Sequence, residues 1–159
     1  MRPLILILFA QEYDELALAS LESSYSEYEF VREGFDLFTF PSNARLLWFD
    51  VELFVKRLAV KYRSRTVAAV ASTHEQFGAL AASLLAEKLG LPGASLQSLL
   101  TAQHKFLARQ IHAKCMPENV PPFCGFRYDA DVRTAVTIDY PVFVKPVKAA
   151  FSVLAKRCK

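Results

Sequence analysis

The sequence predicts an α/β chain: a doubly wound parallel sheet over residues 1–93, then a partial α+β segment over residues 94–159. Two observations carry this. Three short apolar runs alternate with stretches whose apolar residues recur at helical spacing, and that order calls for right-handed crossovers and a parallel sheet. After Gly90 the alternation gives way to two short helical stretches, a proline-rich interval and several short strand-like runs. In doubly wound sheets ligands bind beyond the carboxyl ends of the strands, which places Phe9–Glu12 and Ser72–Glu75 at the expected edge.

Leu4–Phe9 reads as the first strand, because a buried parallel strand is apolar on both faces. Asp14 is a candidate N-cap for a helix with Leu16, Ala17 and Leu21 on its apolar face. Phe35–Phe40 predicts a second strand, ended by Pro41-Ser42-Asn43. Leu47, Val51, Phe54, Val55 and Leu58 then form one face of a helix. Arg65–Ser72 is the third strand. Thr73 and Gln76 have capping-box spacing ahead of a helix carrying Phe77, Leu80, Ala81, Leu84 and Leu85, and Gly90 stops that helix. Ser95 caps a short helix through Leu96, Leu99 and Leu100, and a further helix spans about 103–113 with Phe106, Leu107 and Ile111 inward. Pro117, Pro121 and Pro122 forbid helix. Cys124–Tyr128, Ala135–Ile138, Val142–Lys145 and Phe151–Leu154 read as short strands.

The totals bound the function. A chain of 159 residues holds one domain, or a small domain with part of a second. At 53% hydrophobic and 22% charged it is globular, not disordered or collagen-like. No apolar run approaches the roughly 20 residues of a membrane-spanning helix. The N-terminal run Leu4–Ala10 is followed at once by Gln-Glu-Tyr-Asp-Glu, a poor signal peptide, and three cysteines without CxxC spacing suit a reducing compartment. A cytoplasmic protein is expected. Net charge is +3, but residues 1–36 carry eight acidic residues against Arg2 and Arg32, while residues 139–159 carry five basic residues against Asp139. A basic end favours an anionic ligand there, and a solvated charged tail is the plainer reading.

Several chemistries drop out. There is no GxGxxG or GxxxxGK[ST] motif, no nucleophile elbow around Ser72, Ser95 or Ser152, and no finger-like spacing of Cys with His74, His104 or His112. Phe143 and Phe151 alternate with charged positions as strand-core residues do, so no nucleic-acid partner is expected. Glu75 and His74 follow the third strand. Glu75 suits either a substrate contact or the helix dipole there.

One set of ordered motifs goes further. His74-Glu-Gln-Phe-Gly-Ala-Leu-Ala-Ala, Leu89-Gly-Leu-Pro-Gly93, Lys105 with Arg109, Val120-Pro-Pro-Phe123 and Tyr140-Pro-Val-Phe-Val-Lys-Pro146, with Ser152 beyond, stand in this sequence. In order and spacing, residues 74–155 resemble the front part of an ATP-grasp protein of the carboxylate–amine ligase kind. The resemblance implies a Rossmann-like pre-ATP-grasp domain at residues 1–93 and a truncated N-terminal ATP-grasp subdomain at 94–159. It implies ATP and Mg2+ as cofactors, and a small carboxylate that becomes an acyl phosphate before an amine attacks it. Lys105 resembles the first nucleotide-binding lysine and Lys145 the lysine that reaches the α- and β-phosphates. Val147–Ser152 resembles the flap over the triphosphate, which makes Lys148 and Ser152 candidate nucleotide contacts. Two departures stand out. The flap has no glycine, and the chain ends before the lobe that carries the family's magnesium ligands, so no residue is assigned to metal or to catalysis. Alone, the 159 residues are expected to be inactive as a ligase and at most a weak ATP binder. The alternative is a non-catalytic interaction module whose C-terminal strands pair with a partner chain or with a second copy.

Overall fold

The computed structural model describes residues 1–149 and 152–159, which fall into two compact units, Met1–Leu99 and Leu100–Lys159. The division lies inside the helix that follows the change of pattern near residue 93. It also separates charge: the first unit has nine Lys and Arg against twelve Asp and Glu, and the second has ten against four.

The first unit is built on a three-stranded parallel sheet of order β2-β1-β3, with β1 Leu4–Leu8, β2 Glu29–Glu33 and β3 Val67–Ala71. Helices α1 (Glu15–Ser24), α2 (Val51–Lys61) and α3 (Phe77–Lys88) follow the strands in turn. Side-chain partners show that the sheet is covered on both faces. Leu4, Leu6 and Leu8 join Val55 and Leu58 of α2 and Ala81, Ala82 and Leu85 of α3 in one buried cluster. On the opposite face Arg32 reaches Glu15 and Glu22 of α1. This is the mixed α/β architecture expected, a parallel sheet between helices.

The second strand is not where its phenylalanines suggest. Glu29-Phe-Val-Arg-Glu33 pairs residue for residue with Leu4–Leu8, and Phe35–Phe40 forms no strand. β2 lies at a sheet margin, half-buried throughout, and places its charges against partners: Glu29 on Arg65, Arg32 on α1, and Glu33 on Lys61 and Tyr62. A five-residue strand with three charges does not read as a buried parallel strand. After it, Gly34 adopts φ +104°, and the Asp36 carboxylate accepts the amides of Phe38 and Thr39 at 2.7 and 3.0 Å. Those bonds close an Asx-type turn and take the amides away from any ladder. Phe35 instead joins an aromatic cluster around Phe9, with Phe49, Phe54 and Phe77.

Other expectations shift at element ends. Leu47 lies in a 3-10 segment, Ser42–Trp48, and is exposed, while α2 starts at Val51 with Asp50 as its N-cap. Thr73 and Gln76 form no capping box. Gln76 occupies the N-cap position of α3 without a side-chain cap bond, and the Gly78 amide donates to His74 Nδ1 at 3.3 Å. Gly90 does end the helix, at φ +69°, with Leu91 N donating to Ala86 O at 2.9 Å. The other margin of the sheet, β3, carries no charge, and Ala68, Ala69 and Ala71 are exposed.

α4 spans Leu96–Gln103, and Ser95 Oγ accepts the Ser98 amide near its start. In the second unit, α5 (Lys105–Cys115) is capped by His104, whose Nδ1 accepts the Leu107 amide. A short helix, α6, spans Val132–Ala135, where a strand from Ala135 was expected, because Asp131 caps it through the Arg133 amide. Cys124–Tyr128 is not a strand either. Gly125 sits where a Cβ would meet the Phe106 ring at 2.6 Å, and Phe106 packs edge-on to Phe123. β4 (Val142–Val144) pairs antiparallel with β5 (Lys156–Cys158). Of the expected strand Phe151–Leu154, Phe151 lies outside the described residues and Ser152–Leu154 form a turn, with Ser152 and Leu154 at φ +56° and +58°. Those left-handed values cannot continue a pleated strand.

Candidate functional site

Lys105 is the first residue of α5. Its amide donates to Val147 O at 3.0 Å, and its Nζ donates to Ala149 O at 2.7 Å. The amide bond satisfies one of the donors that the first turn of a helix leaves without an intrahelical partner. The Nζ bond uses one of three ammonium donors, and two remain for another acceptor. Two bonds from one residue therefore fix the start of α5 to the segment directly after β4. Lys145 and Lys148 stand on either side of that junction, both exposed and both without a hydrogen bond or ion pair among the described residues. Ser152 is exposed, at the start of the turn that precedes β5. The structure thus gathers three of the sequence-derived residues, Lys105, Lys145 and Lys148, at the exit of one strand.

The ladder of the β4–β5 hairpin orders its side chains. Val142 faces Cys158, Phe143 faces Arg157 and Val144 faces Lys156. Val142 is buried and Val144 half-buried, whereas Phe143 is 63% exposed. Alternation along a strand therefore sets Phe143 and Arg157 on one exposed face, with Lys145 and Lys159 just beyond the strand ends. The sequence alone did not single out Arg157. Its signal is the register, which composition does not reveal.

In the first unit, the loops at the carboxyl edge of the sheet form an open cleft of about 430 Å³ lined by Gln11, Glu12, Tyr13, Asp36, Phe38 and Thr39. The His74 ring lies against Phe38, centroids 5.1 Å apart. Phe9, at the end of β1, has φ +57°, and Gln11 Nε2 donates to its carbonyl at 2.8 Å. Asp14 is buried beneath this edge, its Oδ2 accepting both the Gln11 amide and the Thr73 hydroxyl. It occupies the expected cap position of α1 but makes no cap bond there. Hydrogen bonds from the Thr39 side chain and from the Phe38 and Thr39 amides hold the Asp36 carboxyl below its ordinary value of 3.8. Glu75 has interactions of its own, and His74 is half-buried, so the loop after β3 is a structured part of this edge.

Among the described residues, no group of three or more His, Cys, Asp or Glu is placed to hold a metal ion. No helix among the described residues is long and apolar enough to cross a membrane.

No protein-family model matches the chain, and no curated protein matches it. Among solved structures, an L-amino acid ligase from Bacillus licheniformis matches over 99% of this chain, with a TM-score of 0.65 and 18% sequence identity. The chain spans 39% of that ligase's length. The likeness shows a shared fold.

Proposed function

We propose that this chain supplies the nucleotide-binding part of an ATP-grasp, ligase-like protein, one that joins a small carboxylate to an amine at the expense of ATP. The observation that carries the proposal is the double hydrogen bond of Lys105 to Val147 and Ala149, which gathers Lys105, Lys145 and Lys148 around one loop. The fold shared with an L-amino acid ligase supports the same reading. ATP, when bound, supplies the phosphoryl group that activates a carboxylate. The chain's own part is electrostatic. Lysine is a flexible point charge that follows phosphate oxygens, and Lys145 and Lys148 have no internal partner among the described residues to give up. Lys105 has two donors to offer while keeping its bond to Ala149.

Phosphate contact here falls to the side chains of Lys105, Lys145 and Lys148, so weak binding of ATP is expected. Cys115, Cys124 and Cys158 are all free thiols. That suits a reducing compartment, and the cytoplasm is the location we favour. Titration calorimetry of the whole chain with Mg-ATP tests the reading. Weak binding that drops at least about tenfold in Lys145→Ala supports it, since a charge-assisted hydrogen bond is worth roughly 1.5–3 kcal/mol. Tight binding indifferent to Lys145 overturns the site.

A second reading, an interaction module, has its own support: among the described residues each strand of the β4–β5 pair is paired on one side only. Unpaired strand edges recruit further strands. Light scattering tests pairing with a second copy, through a concentration-dependent rise in mass.

A further inference from the structure

The exposed face of the β4–β5 hairpin carries an aromatic ring directly opposite a guanidinium. Phe143 and Arg157 are register partners, which places their Cβ atoms about 5 Å apart. Lys145 and Lys159 follow the last residues of the two strands, and no acidic residue occurs anywhere from Val142 to Lys159. A 63%-exposed phenylalanine has little reason to stand among cations for the sake of the fold. A ring beside a planar guanidinium and two ammonium groups is the chemistry that holds an aromatic base and its phosphates. Residues 147–152 include no glycine, so close approach of backbone amides to phosphate is disfavoured there and the phosphate contacts fall to side chains.

We propose that Arg157 is a phosphate-binding residue and Phe143 a base-stacking residue for a nucleoside triphosphate held on this hairpin face. This rests on the nucleotide reading above and adds two residues to it. Guanidinium and phosphate meet in a bidentate geometry that lysine cannot reproduce, which gives Arg157 a role distinct from that of Lys145.

The test measures binding to the whole chain of three probes: ATP, inorganic triphosphate and a single-stranded oligonucleotide. Arg157→Ala is expected to weaken ATP and triphosphate alike by at least about tenfold. Phe143→Ala is expected to weaken ATP and leave triphosphate unchanged, because triphosphate has no base. Lys114→Ala, which removes an exposed charge on α5, serves as the control for net charge. Both hairpin side chains are exposed, and thermal melts confirm that the variants fold. Arg157→Lys restores the charge without the fork and is expected to recover the affinity only in part.

The proposal is overturned if Arg157→Ala behaves as Lys114→Ala does, or if Phe143→Ala weakens both small probes equally. It is also overturned if the oligonucleotide binds more tightly than ATP with the same variant pattern, which would make the face a polynucleotide surface, or if the wild type binds none of the probes. Loss of ATP binding in Lys145→Ala with Arg157→Ala unaffected leaves the nucleotide reading standing and removes this one. Loss of ATP binding in Arg157→Ala with Lys145→Ala unaffected keeps the nucleotide on this hairpin face and removes Lys145 from its site.

Discussion

Thr73 Oγ1 donates to Asp14 Oδ2 at 2.7 Å, joining the loop after the third strand to the turn after the first across 59 residues of sequence. The same oxygen accepts the Gln11 amide at 2.8 Å, and Asp14 is only 8% exposed. Asp14→Ala leaves two donors without their acceptor. Stability is expected to fall by about 1–3 kcal/mol, and by less in Thr73→Ala, since Asp14 Oδ2 then still accepts the Gln11 amide. Urea unfolding of the two variants and of the double variant checks this. Additive losses would show that the bond does not couple the loops.

Gly78 is the second residue of α3, where a Cβ would overlap Ser72 Oγ and come within 2.9 Å of His74 Cβ. Helix propensity favours alanine over glycine by about 1 kcal/mol. Overpacking of a buried position costs about 1–3 kcal/mol, and here Ser72 is held by its own bond to Leu8 O. The steric effect is expected to win, so Gly78→Ala lowers the melting temperature. A rise in melting temperature would show that the loop yields freely.

Phe9 is fully buried, and four rings lie within 5.8 Å of its centroid. Phe9→Ala is expected to cost about 3–5 kcal/mol through transfer and cavity effects. Thermal or chemical unfolding measures it, and a loss below about 1 kcal/mol would mean that the cluster refills the space.

Asp36 sets the acid behaviour of the cleft edge. Its carboxyl is held below the ordinary value of 3.8 by the Thr39 side chain and the amides of Phe38 and Thr39. The folded state therefore prefers the ionised form more strongly than the unfolded chain does. The resulting stabilisation is present above 3.8 and is lost as pH falls through the lower, folded value. Asp36→Asn removes it, so the stability gap between wild type and variant is expected to close as pH drops below 3.8. A gap that stays constant from neutral pH to pH 3 would show that ionisation of Asp36 plays no part.

The parts of this fold that were legible from sequence are those in which one physical effect acts alone. Leu4–Leu8 is apolar on both faces and reads directly as an inner parallel strand. Gly90 reads as a helix stop because few other residues adopt φ +69°. Glu29–Glu33 was hidden because its three charges are neutralised by residues far along the chain, and only the folded structure reveals Arg65, Lys61 and the α1 glutamates as their partners. Phe35–Phe40 misled for the opposite reason: four apolar residues in six suggest a strand, yet Asp36 turns the backbone and the rings serve the cluster around Phe9. At the candidate site, Lys105, Lys145 and Lys148 were visible as motif residues. The bonds from Lys105 to Val147 and Ala149 span more than forty residues, and the register that pairs Phe143 with Arg157 depends on where a turn closes. Neither can be read from local pattern.

The two margins of the parallel sheet are finished differently. β2 surrounds its outer side with glutamates and an arginine already committed to partners, so an incoming strand there would have to break ion pairs before forming a ladder. β3 offers Val-Ala-Ala-Val-Ala with small, uncharged, exposed side chains and, among the described residues, no strand beyond it. The sheet therefore has a direction of growth. Any strand added to this unit, from the same polypeptide or another, meets a closed door at β2 and an open one at β3.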